Sequence, residues 1–276
     1  MKWLHFILSH SIFIAVCALA LTFQTALLLQ IDIDLYVYGF IFFATLCSYN
    51  FYWILSRLSF ASRPDMAAIL KKQATGYLLL FISAIGSLYC LLQSAIPFSF
   101  VITAVVLTVL YAIPLLPLPF LRFTRRAGVL KTILLALTWA YVTVIIPLQK
   151  DYGLLSGADL FIFSRRFLFM LMLCIIFDNR DKDLDKIRGL RSLATDLSPS
   201  KLRALIYCIF ILLFGSNFLF RHYGITLAQS IALQVSTIAL LVVYFYSNKK
   251  RGYLFYYFFV DGMMLFSALV TYLASI

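Results

Sequence analysis

The sequence predicts an all-α membrane protein, a bundle of about nine transmembrane helices. Three observations predict it. The 276 residues are 63% hydrophobic and 12% charged, with a mean hydropathy of +0.98; a soluble domain is about 45–50% apolar and about 25% charged. The apolar residues fall in blocks of about twenty, the length that crosses a bilayer core as a helix. These blocks are too long for barrel strands and lack their period-two alternation. The composition excludes a soluble enzyme, which would have too little polar surface to cover itself, and it excludes a disordered chain.

The spans fall at roughly 8–29, 36–56, 74–93, 98–118, 129–148, 159–178, 203–220, 226–246 and 254–274. The opening MKWLHFILSHSIFIAV has the look of a signal peptide. Its apolar run continues past Ala20 to Leu29 without a small-residue cleavage site, so it reads as the first span. Nine spans use about 180 residues. No room remains for a soluble domain, and residues 1–276 read as a single transmembrane domain. The odd span count and the lack of an internal repeat count against a two-halved transporter.

The charges assign sides. There are 23 Lys and Arg against 11 acids, all of them Asp, for a net charge of +12. In a soluble protein this balance points to nucleic acid; in a polytopic one it marks cytoplasmic loops. Counted from a cytoplasmic N-terminus, 19 of the 23 basic residues fall on one side, and Lys150, Arg165, Arg166 and Arg221 fall on the other. The split predicts an N-terminus inside, a C-terminus on the opposite side and no nucleic-acid partner. Arg165 and Arg166, near the outer end of the sixth span, read as snorkelling toward headgroups. The five Cys lie within spans without paired spacing and read as small buried apolar residues. The three His form no ligand-spaced cluster.

Four acids cluster in FDNRDKDLDKIRGLRSLA: Asp178, Asp181, Asp183 and Asp185, beginning where the sixth span ends. On a helix, Asp178, Asp181 and Asp185 fall within about 60° of one another, and Asp183 points elsewhere. Three carboxylates on one face repel unless a cation sits among them, and hard oxygen ligands suit Mg²⁺ together with a substrate phosphate. The interleaved Arg180, Lys182, Lys186, Arg188 and Arg191 can take phosphate oxygens. A solvated, mixed-charge loop remains the alternative reading of the same residues.

Asp178, Asp181 and Asp185, followed by Gly189, Arg191, Ser192 and Leu193, resemble the second Asp-rich motif of the UbiA superfamily of intramembrane prenyltransferases. Tyr111-Ala112-Ile113-Pro114-Leu115 is similar to that family's Tyr-Ser-x-Pro segment, and Lys131, ahead of LALTW, to the Lys that opens its fifth helix. The resemblance implies nine helices, acidic loops on the cytoplasmic side, and Mg²⁺-assisted transfer of a prenyl group from a polyprenyl diphosphate to an aromatic or lipid acceptor. It implies Asp178, Asp181, Asp185 and Asn50 as metal ligands, Lys131, Arg63 and Arg191 as diphosphate ligands, and Tyr111 as a catalytic residue. The partners implied are the diphosphate, a hydrophobic acceptor and membrane lipids; nothing in the sequence points to a protein partner.

The family's first motif has an Asn with Asp one, four and eight positions later, trailed by Arg-Pro. Here Asn50 and Arg63-Pro64 are present, and the Asp positions hold Phe51, Ile54 and Leu58. This departure leaves a second reading open: a catalytically impaired, isoprenoid-binding or pathway-assisting membrane protein of the same fold. Asn50 also reads as a helix-end hydrogen-bonding residue, and Tyr111 as a packing aromatic. Asp261, deep in the ninth span, is a further candidate, because an ionisable residue at that depth faces the bundle interior and takes a partner.

Overall fold

A computed structural model of the chain describes residues 2–60, 74–113, 128–150, 152–187 and 190–276. The described residues contain helices and no strand. In chain order these are α1 (Lys2–Ser9), α2 (Ile12–Leu29), α3 (Leu35–Phe60), α4 (Ala74–Gln93), α5 (Phe98–Ala112), α6 (Gly128–Ala140), α7 (Gly157–Ile187), the short α8 (Leu193–Asp196), α9 (Pro199–Gly215), α10 (Leu227–Ser247) and α11 (Asp261–Leu273). Among the described residues, eight helical stretches are long and apolar enough to cross a membrane. The shorter α5 corresponds to the expected span 98–118, whose remainder lies outside the described residues.

Local chemistry sets the helix ends. The expected first span is broken at Ser11, whose φ is 63°. Side chains of Ser9 and His10 bond the Phe6 carbonyl and close α1 there. At the start of α7, Asp159 N–H donates to Ser156 Oγ (3.2 Å) and Ser156 N–H to Asp159 Oδ2 (2.8 Å). Thr226 and Gln229 open α10 by the same reciprocal arrangement, which satisfies helix-start donors. Pro199 occupies the first turn of α9, where its missing N–H costs nothing.

The fifth span continues from α6 through a π-helical turn, Tyr141–Ile145, to Leu148. Pro147 has no N–H for the Thr143 carbonyl four residues earlier. Thr25 Oγ1 of α2 donates to that carbonyl at 2.8 Å, which ties the irregular turn to the bundle.

The central helix is α7. Buried residues make up 61% of its most apolar stretch, against 11% for α4. Helices α2, α6, α9 and α10 pack on it, while α4 packs on α3 at the edge of the bundle. A Cβ on Gly86 of α4 would lie 2.8 Å from the Phe43 ring of α3, so glycine is what allows that close crossing. Buried side chains from α2 to α11 form one contiguous apolar cluster.

One expectation changes here. Arg165 and Arg166 do not snorkel; they are 7% and 5% exposed, and their guanidinia bond carbonyls of α9 and α2. The helix of the expected sixth span, 159–178, continues to Ile187, as a shared face for Asp178, Asp181 and Asp185 requires. Helix α7 has 31 residues, about 46 Å at 1.5 Å per residue. A bilayer core takes about 30 Å of that, so α7 is long enough to extend beyond an apolar layer without a break.

Candidate functional site

The acidic cluster lies on the last turns of α7, and its members have different surroundings. Asp178 accepts from Thr132 Oγ1 at 2.5 Å and from the Leu193 backbone N–H at 3.2 Å, both at Oδ2. Asp185 is 6% exposed, and Asp183 is exposed, as helical geometry requires. Asp181 is held by its neighbour: Arg180 Nε and Nη2 donate to its two oxygens at 2.7 and 2.6 Å. The Arg180 guanidinium in turn lies 4.9, 5.1 and 4.9 Å from the ring centroids of Phe177, Tyr256 and Tyr257. That aromatic box fixes the fork by cation–π attraction on several faces. Arg180→Ala is expected to destabilise the purified protein by about 2 kcal/mol, from the lost stacking and the lost bidentate pair; a thermal melt checks it.

Helix α6 brings the cation. Lys131, on the first turn of α6, lies within electrostatic reach of Asp178, Asp185 and Asp181, and 6.0 Å from the Tyr111 ring. Tyr111 stacks on Tyr52 at 5.1 Å with an interplanar angle of 18°. Leu55, Ala112 and Leu190 pack together beside Tyr52. The ends of α3, α5 and α7 and the start of α6 therefore meet at one end of the bundle, around Lys131.

Gly128, three residues before Lys131, makes this meeting possible. A Cβ there would lie 2.2 Å from the Arg191 carbonyl carbon and 2.3 Å from the Ser192 nitrogen. The backbone of 191–192 thus crosses directly over the start of α6, and this crossing delivers the Leu193 N–H to Asp178.

Other expected site residues are placed differently. Asn50 is buried, and its Nδ2 donates to the carbonyls of Leu46 (2.8 Å) and His10 (3.2 Å). It ties α3 to the break between α1 and α2. Arg191 is half exposed, and its Nε donates to Asp196 Oδ1 at 2.7 Å. Arg63 lies outside the described residues, as do Asp65, Arg188 and Gly189. Phe51 is 49% exposed and Ile54 is buried, so these two positions serve as ordinary apolar residues of α3. Asp261 begins α11, directly after a π-helical turn, Phe255–Val260, and lies within electrostatic reach of Arg180.

Sequence reading missed Thr132, Tyr52 and the Arg180 box. Thr132 adjoins Lys131, a signal that could have been used. The box could not be read, because Tyr256 and Tyr257 come from the far end of the chain and aromatics are abundant throughout.

The resemblance implies Mg²⁺. The side chains as arranged do not form a self-contained site for it: Asp178 Oδ2 takes two donors and both Asp181 oxygens take Arg180. Among the described residues no three His, Cys or Asp side chains come together to hold a metal ion. The negative charge is instead met by Lys131 and Arg180 of the chain itself.

No family model matches the sequence, and no curated protein matches it. A solved structure of digeranylgeranylglyceryl phosphate synthase in membranes superposes with a TM-score of 0.52 at 15% identity, covering 100% of this chain and 99% of that one. The two proteins share a fold. The likeness extends over the whole chain, in line with the sequence resemblance to an intramembrane prenyltransferase family. At this identity it concerns the path of the helices and not individual side chains.

Proposed function

We propose that the protein transfers a prenyl group, within the membrane, from a polyprenyl diphosphate to a hydrophobic acceptor. The single observation that carries this reading is the meeting of Lys131, Tyr111 and the Asp178–Asp185 turns at one end of a bundle with the fold of a membrane prenyl-lipid synthase. The last turn of α3 and the sequence joining it to α4 carry Arg57, Arg63, Lys71 and Lys72 with one acid, and the sequence joining α5 to α6 carries Arg122, Arg125 and Arg126 with none. These stretches of sequence are rich in the cations that a diphosphate requires.

In the reaction, the bond between the allylic carbon and the diphosphate oxygen breaks, a bond to the acceptor forms, and the acceptor's proton leaves with the diphosphate. Lys131 holds the departing diphosphate by charge. Asp178 and Asp185 position the Lys131 ammonium, and Thr132 orients Asp178. Tyr111 and Tyr52 present aromatic faces to the developing positive charge. No step is assigned to a metal.

The test is a titration of purified protein in nanodiscs with prenyl diphosphates of increasing chain length. Saturable binding and release of diphosphate on adding a lipid acceptor are expected; no binding at any chain length sinks the proposal. Run with and without Mg²⁺, the same titration decides whether the implied metal is part of the site. Binding without diphosphate release would favour the second reading, an isoprenoid-binding protein without turnover. What favours that reading is the apolar pair Phe51 and Ile54 where the family carries acids.

The proposed orientation puts the N-terminus and the acidic cluster in the cytoplasm and the C-terminus on the opposite side, from the 19 to 4 division of basic residues. A Cys appended after Ile276 is expected to react with a membrane-impermeant maleimide from outside intact cells, and Lys182→Cys only after lysis. The reverse labelling pattern overturns the orientation.

A further inference from the structure

Two cations have no role in the chemistry above. Arg165 and Arg166 lie one beside the other on α7, about 18 Å along the helix from Asp178, and both are more than nine-tenths buried. Arg165 Nη1 donates to the Leu213 carbonyl at 2.6 Å and to Ser216 Oγ. Arg166 Nη2 donates to the Leu21 carbonyl at 3.1 Å and to Thr25 Oγ1 at 3.3 Å. All these partners are neutral. The ion pairs among the described residues lie elsewhere, at Lys150–Asp159, Arg180–Asp181 and Arg191–Asp196. A guanidinium stays protonated in any protein setting. Two positive charges are thus held inside a membrane bundle without a carboxylate, an arrangement that is costly unless an anion compensates it.

The space for a partner is present. Both arginines line a partly open cavity of about 30 Å³ whose walls come from α2, α7, α9, α10 and α11 and include Gln24, Ser236 and Ser267. Arg166 Nη1 is buried and has no hydrogen-bond partner. Ser267 Oγ accepts from Gln24 Nε2 at 2.9 Å, which leaves its own O–H to donate. The Ser236 hydroxyl is already spent on the Ala232 carbonyl. One water needs about 10–15 Å³ of such space. The cavity therefore has room for a monatomic anion or for a water or two.

We propose that this cavity is a binding site for a small monovalent inorganic anion of the chloride type, held by the free Nη1 of Arg166, the guanidinium of Arg165 and the hydroxyl of Ser267. The anion would neutralise part of the buried charge beside the central helix, in the cavity that α2, α9, α10 and α11 help to line. Its role is structural and independent of prenyl transfer.

The test uses the full-length protein in detergent, melted in sodium chloride, bromide or gluconate at constant ionic strength. Chloride and bromide are expected to raise Tm saturably, by about 5 °C at a hundredfold excess over Kd, with no rise in gluconate. Arg166→Met is expected to abolish the halide response. Identical melting in all three salts overturns the proposal and assigns the cavity to water; so does a full halide response in Arg166→Met. Should that variant not fold, anomalous diffraction from wild-type crystals grown in bromide decides. A peak within contact distance of Arg166 sustains the proposal, and its absence overturns it.

Discussion

Lys131→Met is expected to weaken prenyl diphosphate binding by roughly 150-fold, equivalent to about 3 kcal/mol for removing one partner of a buried charge pair. The substitution keeps the length and the apolar stem of the side chain and removes only the ammonium. Lys131 is the cation that reaches Asp178, Asp185 and Asp181 from the facing helix, and it stands over the Tyr111 ring at 6.0 Å. Without it the end of α7 presents carboxylates to an incoming diphosphate, and repulsion adds to the lost attraction. Isothermal titration of the nanodisc-embedded variant measures the change. An unchanged Kd would remove Lys131 from the site and with it the observation on which the proposed function rests. Lys131→Arg separates charge from shape, since it keeps the cation and alters its hydrogen-bonding geometry. Partial binding by that variant is expected.

Gly128→Val is the second large effect. A Cβ at Gly128 meets backbone atoms of Arg191 and Ser192 at 2.2 and 2.3 Å, and backbone cannot rotate away as a side chain can. The crossing segment must lift, taking the Leu193 N–H from Asp178 and opening the contact between α6 and α7. A destabilisation of about 3 kcal/mol is expected from overpacking alone. Diphosphate binding is expected to fall with it, because Lys131 sits one helical turn further along. Gly215→Ala is the control. Nothing lies within 4 Å of a Cβ there, so the melt is expected to stay level or to rise slightly through helix propensity. Equal melting of wild type and Gly128→Val would show that the crossing is looser than its distances imply.

The legibility of the site varied residue by residue, for physical reasons. Asp178, Asp181 and Asp185 share a helix face through a local periodicity, and a local periodicity can be counted along the chain. That Asp183 stands apart followed from the same count. Which cation answers each acid could not be counted. Asp181 is taken by Arg180, one residue away, because rings of Phe177, Tyr256 and Tyr257 hold the guanidinium in place. Asp178 is taken by Thr132, 46 positions earlier. Asn50 matched a motif position, yet its amide is spent on the carbonyl of His10, left at the break after α1. That break depends on Ser11 adopting a left-handed conformation inside an otherwise apolar run.

The two arginines are the instructive failure. Long basic side chains near a span end ordinarily reach for headgroups, and nothing in FIFSRRFLF distinguishes this pair from such a case. Their direction is decided by where the neighbours are. Leu213 and Ser216 of the chain following α8 and Leu21 and Thr25 of α2 offer acceptors inward, and α7 is surrounded by helices on the sides that Arg165 and Arg166 face.

The sequence by itself determined that the chain is helical and spans a membrane many times, since hydropathy in blocks of about twenty is a property of composition and length. It also determined where the acids cluster and which of them share a face. The tertiary structure alone decided that α7 is the axis of the bundle, that Lys131 and Thr132 face the acids, that Gly128 admits a crossing backbone, and that two arginines turn inward around a cavity. Each of these depends on residues dozens to hundreds of positions apart, and only packing, which sums many weak contacts across helices, brings them within reach.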